Sequence, residues 1–194
     1  MRTAWGYDVS GALEPIVYAD DFNDITNGTY SDNPRVEAAL NAASQAIRNY
    51  CGWHISPSLS CTAKPAGGAV VMKLPAGYVS EIESVTENGV TVTDYEWRED
   101  GLIKRNYPNA WTPAWGGIEV EYTAGYEADA VPDLVEAVCA ITSGVLSVSA
   151  GVTSESADGV SVSYSSSASS IAAGLTSQMK CALEPYKVVS SHAA

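Results

Sequence analysis

Apolar positions along the chain change their period several times, and each change marks an element. Residues 1–19 carry no clear period, only scattered glycines and one proline. In Ala19-Asp20-Asp21-Phe22-Asn23-Asp24-Ile25, Asp20 can cap a helix and Asp21 and Asp24 suit its positive end, while Gly28 can end it. One short helix is expected there. A longer one is expected over residues 33–51. Val36, Leu40, Ala43, Ile47, Tyr50 and Cys51 recur at steps of three or four. Arg35, Glu37, Asn41, Gln45 and Arg48 read as its polar face. Asn33 can cap it, Pro34 fits its first position, and Gly52 is the expected left-handed stop.

Between Trp53 and Tyr126 the period falls to two. Residues 60–64 and 69–74 read as strands around Pro65-Ala66-Gly67-Gly68. Residues 79–86 and 90–95 flank Asn88-Gly89, a strong hairpin signal, and 95–98 and 102–105 flank Asp100-Gly101. Ile118, Val120 and Tyr122 alternate with Glu119 and Glu121, so one face is dry and the other wet. The expectation is an antiparallel meander.

Helical spacing returns at Pro132-Asp133-Leu134. Leu134, Val138, Ile141 and Val145 form a stripe that Val135, Cys139 and Leu146 widen until almost the whole helix is apolar. Such a helix is buried, within the domain or between subunits. Beyond it, residues 151–164 suit a loose hairpin around Asp158-Gly159. Seven serines within 161–170 read as a flexible linker. A last helix fits residues 171–186, with Ile171, Leu175, Met179, Ala182 and Leu183 on one side. Its stripe needs a partner, either its own domain or another chain. The fold class is therefore α+β: helices packed with an inserted antiparallel β-meander, plus a C-terminal arm with a terminal helix. The expected division is an N-terminal extension (1–19), a core (20–150) and the arm (151–194).

Composition narrows the function. The 194 residues are 46% hydrophobic, enough for a real core, and only 17% charged. Acids outnumber bases 23 to 10, for a net charge of −13. A nucleic-acid binder needs a basic footprint, and the nearest candidate is the pair Lys104-Arg105. Anionic lipid surfaces are disfavoured for the same reason. No stretch approaches the roughly 20 apolar residues of a membrane helix. Met1-Arg2-Thr3-Ala4-Trp5 lacks the apolar core of a signal peptide, so the expected compartment is the cytoplasm. There Cys51, Cys61, Cys139 and Cys181 read as small buried apolar residues, with no disulfide.

Catalytic and metal chemistry find little support. His192 lies at the terminus, and His54 follows a helix stop, where a polar residue needs no further role. Cys51, His54 and Cys61 make a three-ligand fragment, but no fourth ligand has sensible spacing for zinc. No GxSxG, GxxxxGK[ST] or GxGxxG occurs. The acids Asp20, Asp21, Asp24 and Asp32 suit helix capping better than a calcium loop, because Ile25 and Thr26 fall where ligands belong. The five tryptophans read as core and interface aromatics. No catalytic residue, metal or cofactor is expected, and no enzyme.

The order of these segments resembles the head-to-tail adaptor proteins (connector, or head-completion proteins) of long-tailed double-stranded DNA bacteriophages. The resemblance runs from the helix ending Ile47-Arg48-Asn49-Tyr50-Cys51-Gly52-Trp53 through Leu74-Pro75 and Ile82-Glu83-Ser84-Val85. It continues through Tyr95-Glu96-Trp97, Asp100-Gly101-Leu102-Ile103 and Val120-Glu121-Tyr122-Thr123-Ala124-Gly125-Tyr126 to Val131-Pro132-Asp133-Leu134. Ser154-Glu155-Ser156 and Val160-Ser161-Val162-Ser163-Tyr164 then precede a last helix. It spans roughly residues 20–187.

The resemblance implies a structural virion protein of the neck, assembled in the host cytoplasm. It would form a ring, usually of twelve copies, beneath the portal. The ring extends the DNA channel and offers a platform for the stopper and tail. The implied partners are further copies of the chain, the portal protein, a stopper or tail-completion protein, and duplex DNA passing without specific binding. No membrane partner is implied. Carried onto this chain, portal docking falls to Ile171, Leu175, Met179, Leu183 and Tyr186. Core and subunit packing falls to Leu40, Ile47, Trp53, Leu134, Val138, Ile141 and Val145. An acidic lumen suits the role, because it repels phosphate and lets DNA slide. The nearest rival is another neck or tail ring component, such as a stopper or tail terminator. A secreted adhesin module would need a signal that the N-terminus lacks, and an enzyme would need titratable clusters that are missing.

Overall fold

The long helix and the hairpins fold where the periods place them. A computed structural model describes residues 1–147, 154–157, 160–163 and 175–188. The chain divides into two units by its internal packing. One comprises Met1–Glu14, Arg48–Ala130 and Pro185–Ala194; the other comprises Pro15–Ile47 and Val131–Glu184.

The first unit is built on β-strands. A five-stranded antiparallel sheet contains β1 (Asp8–Val9), β2 (Leu59–Ala63), β4 (Val79–Glu87), β5 (Val90–Thr91) and β8 (Ile118–Ala124). Its order is β1-β2-β8-β4-β5. A second sheet has the order β3-β7-β6, from β3 (Val71–Lys73), β6 (Tyr95–Trp97) and β7 (Leu102–Arg105). Both expected hairpins form. Asn88 and Gly89 take φ of 51° and 78°, the left-handed pair that closes a two-residue turn between β4 and β5. Gly101, at φ 80°, turns the chain from β6 into β7.

The sheets are antiparallel, but they are not a meander. Strand β8 inserts between β2 and β4, pairing Tyr122 with Cys61 on one side and with Ile82 on the other. The two strands around Pro65-Ala66-Gly67-Gly68 belong to different sheets. On β8, Ile118, Val120, Tyr122 and Ala124 are buried and Glu121 faces outward, as the alternation predicts. The N-terminus is built into this unit instead of extending from it. Asp8 and Val9 pair with Thr62 and Cys61, and Tyr7 is buried.

The second unit is mainly helical. Helix α1 (Ala19–Ile25) starts two residues earlier than an Asp20 cap would place it. Tyr18 occupies the cap and its side chain makes no capping hydrogen bond, and Asp20 and Asp21 lie in the first turn, where the helix dipole favours them. Helix α2 (Val36–Cys51) follows an Asn33 side chain that accepts the Arg35 N–H at 3.0 Å. It stops at Gly52, φ 81°. Its last turn lies in the first unit. Helix α3 (Pro132–Ser147) buries Leu134, Val138, Ile141 and Leu146, while Val145 is half-buried. Leu40, Ile47 and Trp53 are also buried.

A hairpin of β9 (Ser154–Ala157) and β10 (Val160–Ser163) pairs Val160 with Ala157, as the Asp158-Gly159 signal implied. The remainder of the serine-rich stretch lies outside the described residues. Helix α4 (Ser177–Leu183) starts later than the spacing suggested, because the Thr176 hydroxyl caps it by accepting the Met179 N–H at 3.2 Å. A 3-10 turn, Glu184–Tyr186, follows.

Candidate functional site

Three places in the molecule could carry chemistry or contacts: a buried polar network, the C-terminal arm, and the outer surface of the β unit. The network centres on His54, which is fully buried just past the end of α2. Its Nε2 lies 2.9 Å from the Ala124 carbonyl, which can only accept, so Nε2 carries the proton. Nδ1 then accepts the Tyr7 hydroxyl proton at 2.8 Å. The Tyr7 oxygen in turn accepts the His54 backbone N–H at 3.0 Å. Burial lowers the imidazole to a pKa of about 4, so it is neutral near pH 7. Burial raises Tyr7 far above the ordinary phenol range and pushes the Cys61 thiol up to about 12.

Arg48 joins the same network. Its position on α2 reads as polar face, yet it is almost wholly buried. Its Nε donates to the His54 carbonyl at 2.9 Å, and Nη2 donates to the carbonyls of Glu14 (2.7 Å) and Ser56 (2.5 Å). One guanidinium thereby ties the N-terminal segment to the turn after α2. The Cys61 thiol and Tyr7 phenol are held protonated and the His54 imidazole is enclosed, so none of these three faces solvent as a nucleophile or base. Among the described residues, no group of three His, Cys, Asp or Glu side chains is placed to hold a metal ion.

The arm residues separate. Leu175 and Leu183 are buried within the chain, and α4 packs on α3. Of the two partners open to the stripe, its own domain is the one this structure shows. Met179 and Tyr186 are half-buried, and Ile171 lies outside the described residues. Cys181 is exposed, unlike the other cysteines, because it faces away from the Leu175 and Leu183 side. Past α4 the chain is fastened to the β unit. The Trp53 indole N–H donates to the Tyr186 carbonyl at 2.6 Å, and the Val188 N–H donates to the Cys51 carbonyl at 2.9 Å. The Tyr186 ring meets Tyr126 edge-on, and the Lys187 ammonium sits 4.9 Å over the Tyr50 ring.

The outer surface of the β unit has two characters. The wet face of the larger sheet is acidic. Glu83 accepts from the Ser60 and Thr123 hydroxyls, and Glu121 accepts from Ser84 at 2.8 Å. An open groove of about 250 Å³ runs between Asp8, Ser60, Thr62, Glu83 and Glu121. Elsewhere Tyr107 and Trp115 project fully into solvent, on the segment between β7 and β8. Periodicity gives no warning of these two, because they lie outside any repeating element. Trp111, on the same segment, is buried.

Comparison with known proteins gives this arrangement a context. A family model described as head completion protein matches residues 17–189. No curated protein matches the chain. Solved structures do. A chain from the neck of a native GTA particle computed with C12 symmetry superposes with a TM-score of 0.59 at 15% identity, over 97% of this chain and 98% of that one. A chain from the neck of an empty GTA particle computed with C6 symmetry gives 0.58 at 16% identity, over the same shares. At such identities the likeness is one of fold.

Proposed function

The chain belongs to the head completion protein family, and from that membership we propose that it is the head-to-tail adaptor of a phage-like particle. The family is structural, not enzymatic, which accords with a His54, Tyr7 and Arg48 network that is buried and bonded to the fold. The observation that carries the reading is the family match over residues 17–189, nearly the whole chain. Similarity of fold to neck proteins over 97% of the chain supports it.

In this reading the copies form a closed ring beneath the portal, extend the DNA channel, and present a platform to a stopper or tail-completion protein. Twelve copies are proposed. Both symmetries of the similar necks, twelvefold and sixfold, are compatible with a ring of that number. Such a ring carries a net charge of twelve times −13, or −156. A wall of that sign repels phosphate, so DNA passes without being held. Assembly takes place in the host cytoplasm, and the finished protein resides in the virion neck.

The arm remains the proposed portal dock, with a condition that the structure adds. Leu175 and Leu183 already have a partner, so docking through them requires α4 to leave α3 and exchange one apolar contact for another. Met179 and Tyr186 are reachable without that exchange.

Reconstruction of the neck of the particle encoded with this chain tests the proposal. The adaptor reading expects density for the chain in the ring that touches the portal. Density one or more rings further toward the tail would make it a stopper or tail terminator.

A further inference from the structure

Residues 106–117 join β7 to β8 and contain no charged side chain. In a chain of net charge −13 this is a distinct surface. Tyr107 and Trp115 are fully exposed on it, and Pro108, Ala110, Pro113 and Ala114 are exposed beside them. Exposed Val90 lies on the neighbouring hairpin. A soluble protein seldom presents two whole aromatic side chains to water without a partner.

The segment is firmly seated. Trp111 is buried at its base, with the Arg105 guanidinium 4.9 Å above the indole ring. Arg105 pairs with Glu87 at 3.2 Å and with Asp94 at 3.1 Å. Glu87 also accepts the Thr112 N–H, and Asp94 accepts from the Asn109 amide at 3.0 Å. The Trp111 backbone N–H donates to the Ala69 carbonyl, the Trp111 carbonyl accepts the Gly68 N–H, and the Gly117 carbonyl accepts the Asn88 N–H. A Cβ on Gly67 would come within 2.0 Å of the Thr112 carbonyl oxygen, so the segment lies directly on the 65–68 turn. An aromatic anchor on a base this well tied loses little freedom on binding, which is the property of a hot-spot residue.

We infer that the 106–117 segment is the contact by which one copy of the chain grips the next. This rests on the ring proposed above. Electrostatics favours a second copy as the occupant. Two chains of −13 repel, and the sheet face carrying Glu83 and Glu121 would set carboxylate against carboxylate. A charge-free aromatic segment lets like-charged copies meet without that juxtaposition. A strongly basic partner would instead be met by the acidic surface. In a cyclic ring every contact joins two different patches, so one such segment per copy serves one contact per copy.

The test compares the full-length wild-type chain with the double variant Tyr107→Ser/Trp115→Ser, each alone and mixed with the portal protein of the same genome. Native mass reads the assemblies, and circular dichroism and melting read the fold. Both replaced side chains are in solvent, so the variant is expected to melt like the wild type. It is expected to lose the ring, each contact being weakened more than about tenfold. A photo-crosslinking residue at position 115 of the otherwise unchanged chain should join it to another copy of itself. A variant that still forms the wild-type ring overturns the inference and leaves the ring reading intact. Crosslinks only to the portal protein or a tail component also overturn it. A wild-type chain that forms no ring, alone or on the portal, defeats the ring reading and this inference with it.

Discussion

Arg48 and His54 show how single buried polar groups decide this architecture. The Arg48 guanidinium serves three backbone carbonyls, from Glu14, His54 and Ser56. Replacing it by methionine keeps the apolar stem and removes the donors. Arg48→Met is expected to cost roughly 3 kcal/mol in denaturant unfolding, since it removes three hydrogen bonds to backbone carbonyls, each worth about 1 kcal/mol or more. His54 makes stability depend on pH. Its pKa is about 4 when folded, against about 6.5 for a free imidazole. The unfolded chain therefore binds the proton more readily between those values. Stability is fully present above pH ~6.5, declines as the pH falls, and levels off below pH ~4, for a total of about 3 kcal/mol. His54→Gln should flatten that part of the profile, and an unchanged slope would assign it to the carboxylates. Gly125 sits beside the same ring at φ 112°, where a Cβ would lie 2.5 Å from the Pro57 carbonyl oxygen and 2.9 Å from His54 Nε2. None of this was visible in the residue pattern. Arg48 falls on the polar side of the α2 period, and the carbonyls that bury it come from residues the period does not describe.

At the scale of elements, local signals were reliable and long-range pairing was not. The α2 and α3 stripes, the Asn88-Gly89 and Asp100-Gly101 turns and the alternation of β8 each follow from residues a few positions apart. Insertion of β8 between β2 and β4 depends on partners some sixty and forty residues distant, as in Cys61 with Tyr122 and Ile82 with Tyr122. No local period carries that information. The arm is an intermediate case. Its apolar stripe was legible, but the stripe alone did not say whether its own domain or another chain covers it. The residues to test are now clear. Val138→Asp on α3 places a carboxylate where the side chain is fully buried, and the chain is expected to unfold; a native melting curve would contradict the burial of α3. Leu183→Asp is expected to lower the melting temperature as well, because Leu183 is buried in the free chain. A stable variant that lost only portal binding would mean that α4 is not held on α3 in solution.

For the whole molecule, the net charge of −13 is the property that the sequence alone states most directly. It opposes the closing of a ring, so ring formation should respond to salt. Screening shortens the reach of charge from about 14 Å at roughly 0.05 M to about 4 Å at roughly 0.5 M ionic strength. The ring fraction in sedimentation should rise over that range. A fraction that falls would mean that salt bridges, and not charge-free surfaces, hold the copies together. The proposed partners are not legible in periods or composition. They are what the order of segments along residues 20–187 implies, and the family match over 17–189 covers nearly the same stretch.

The native mass of the full-length chain mixed with the portal protein of its own genome tests the adaptor role. An adaptor is expected to give a stoichiometric complex in which twelve copies of this chain join the portal. A portal that remains bare while the chain joins a stopper or tail component would contradict the adaptor role.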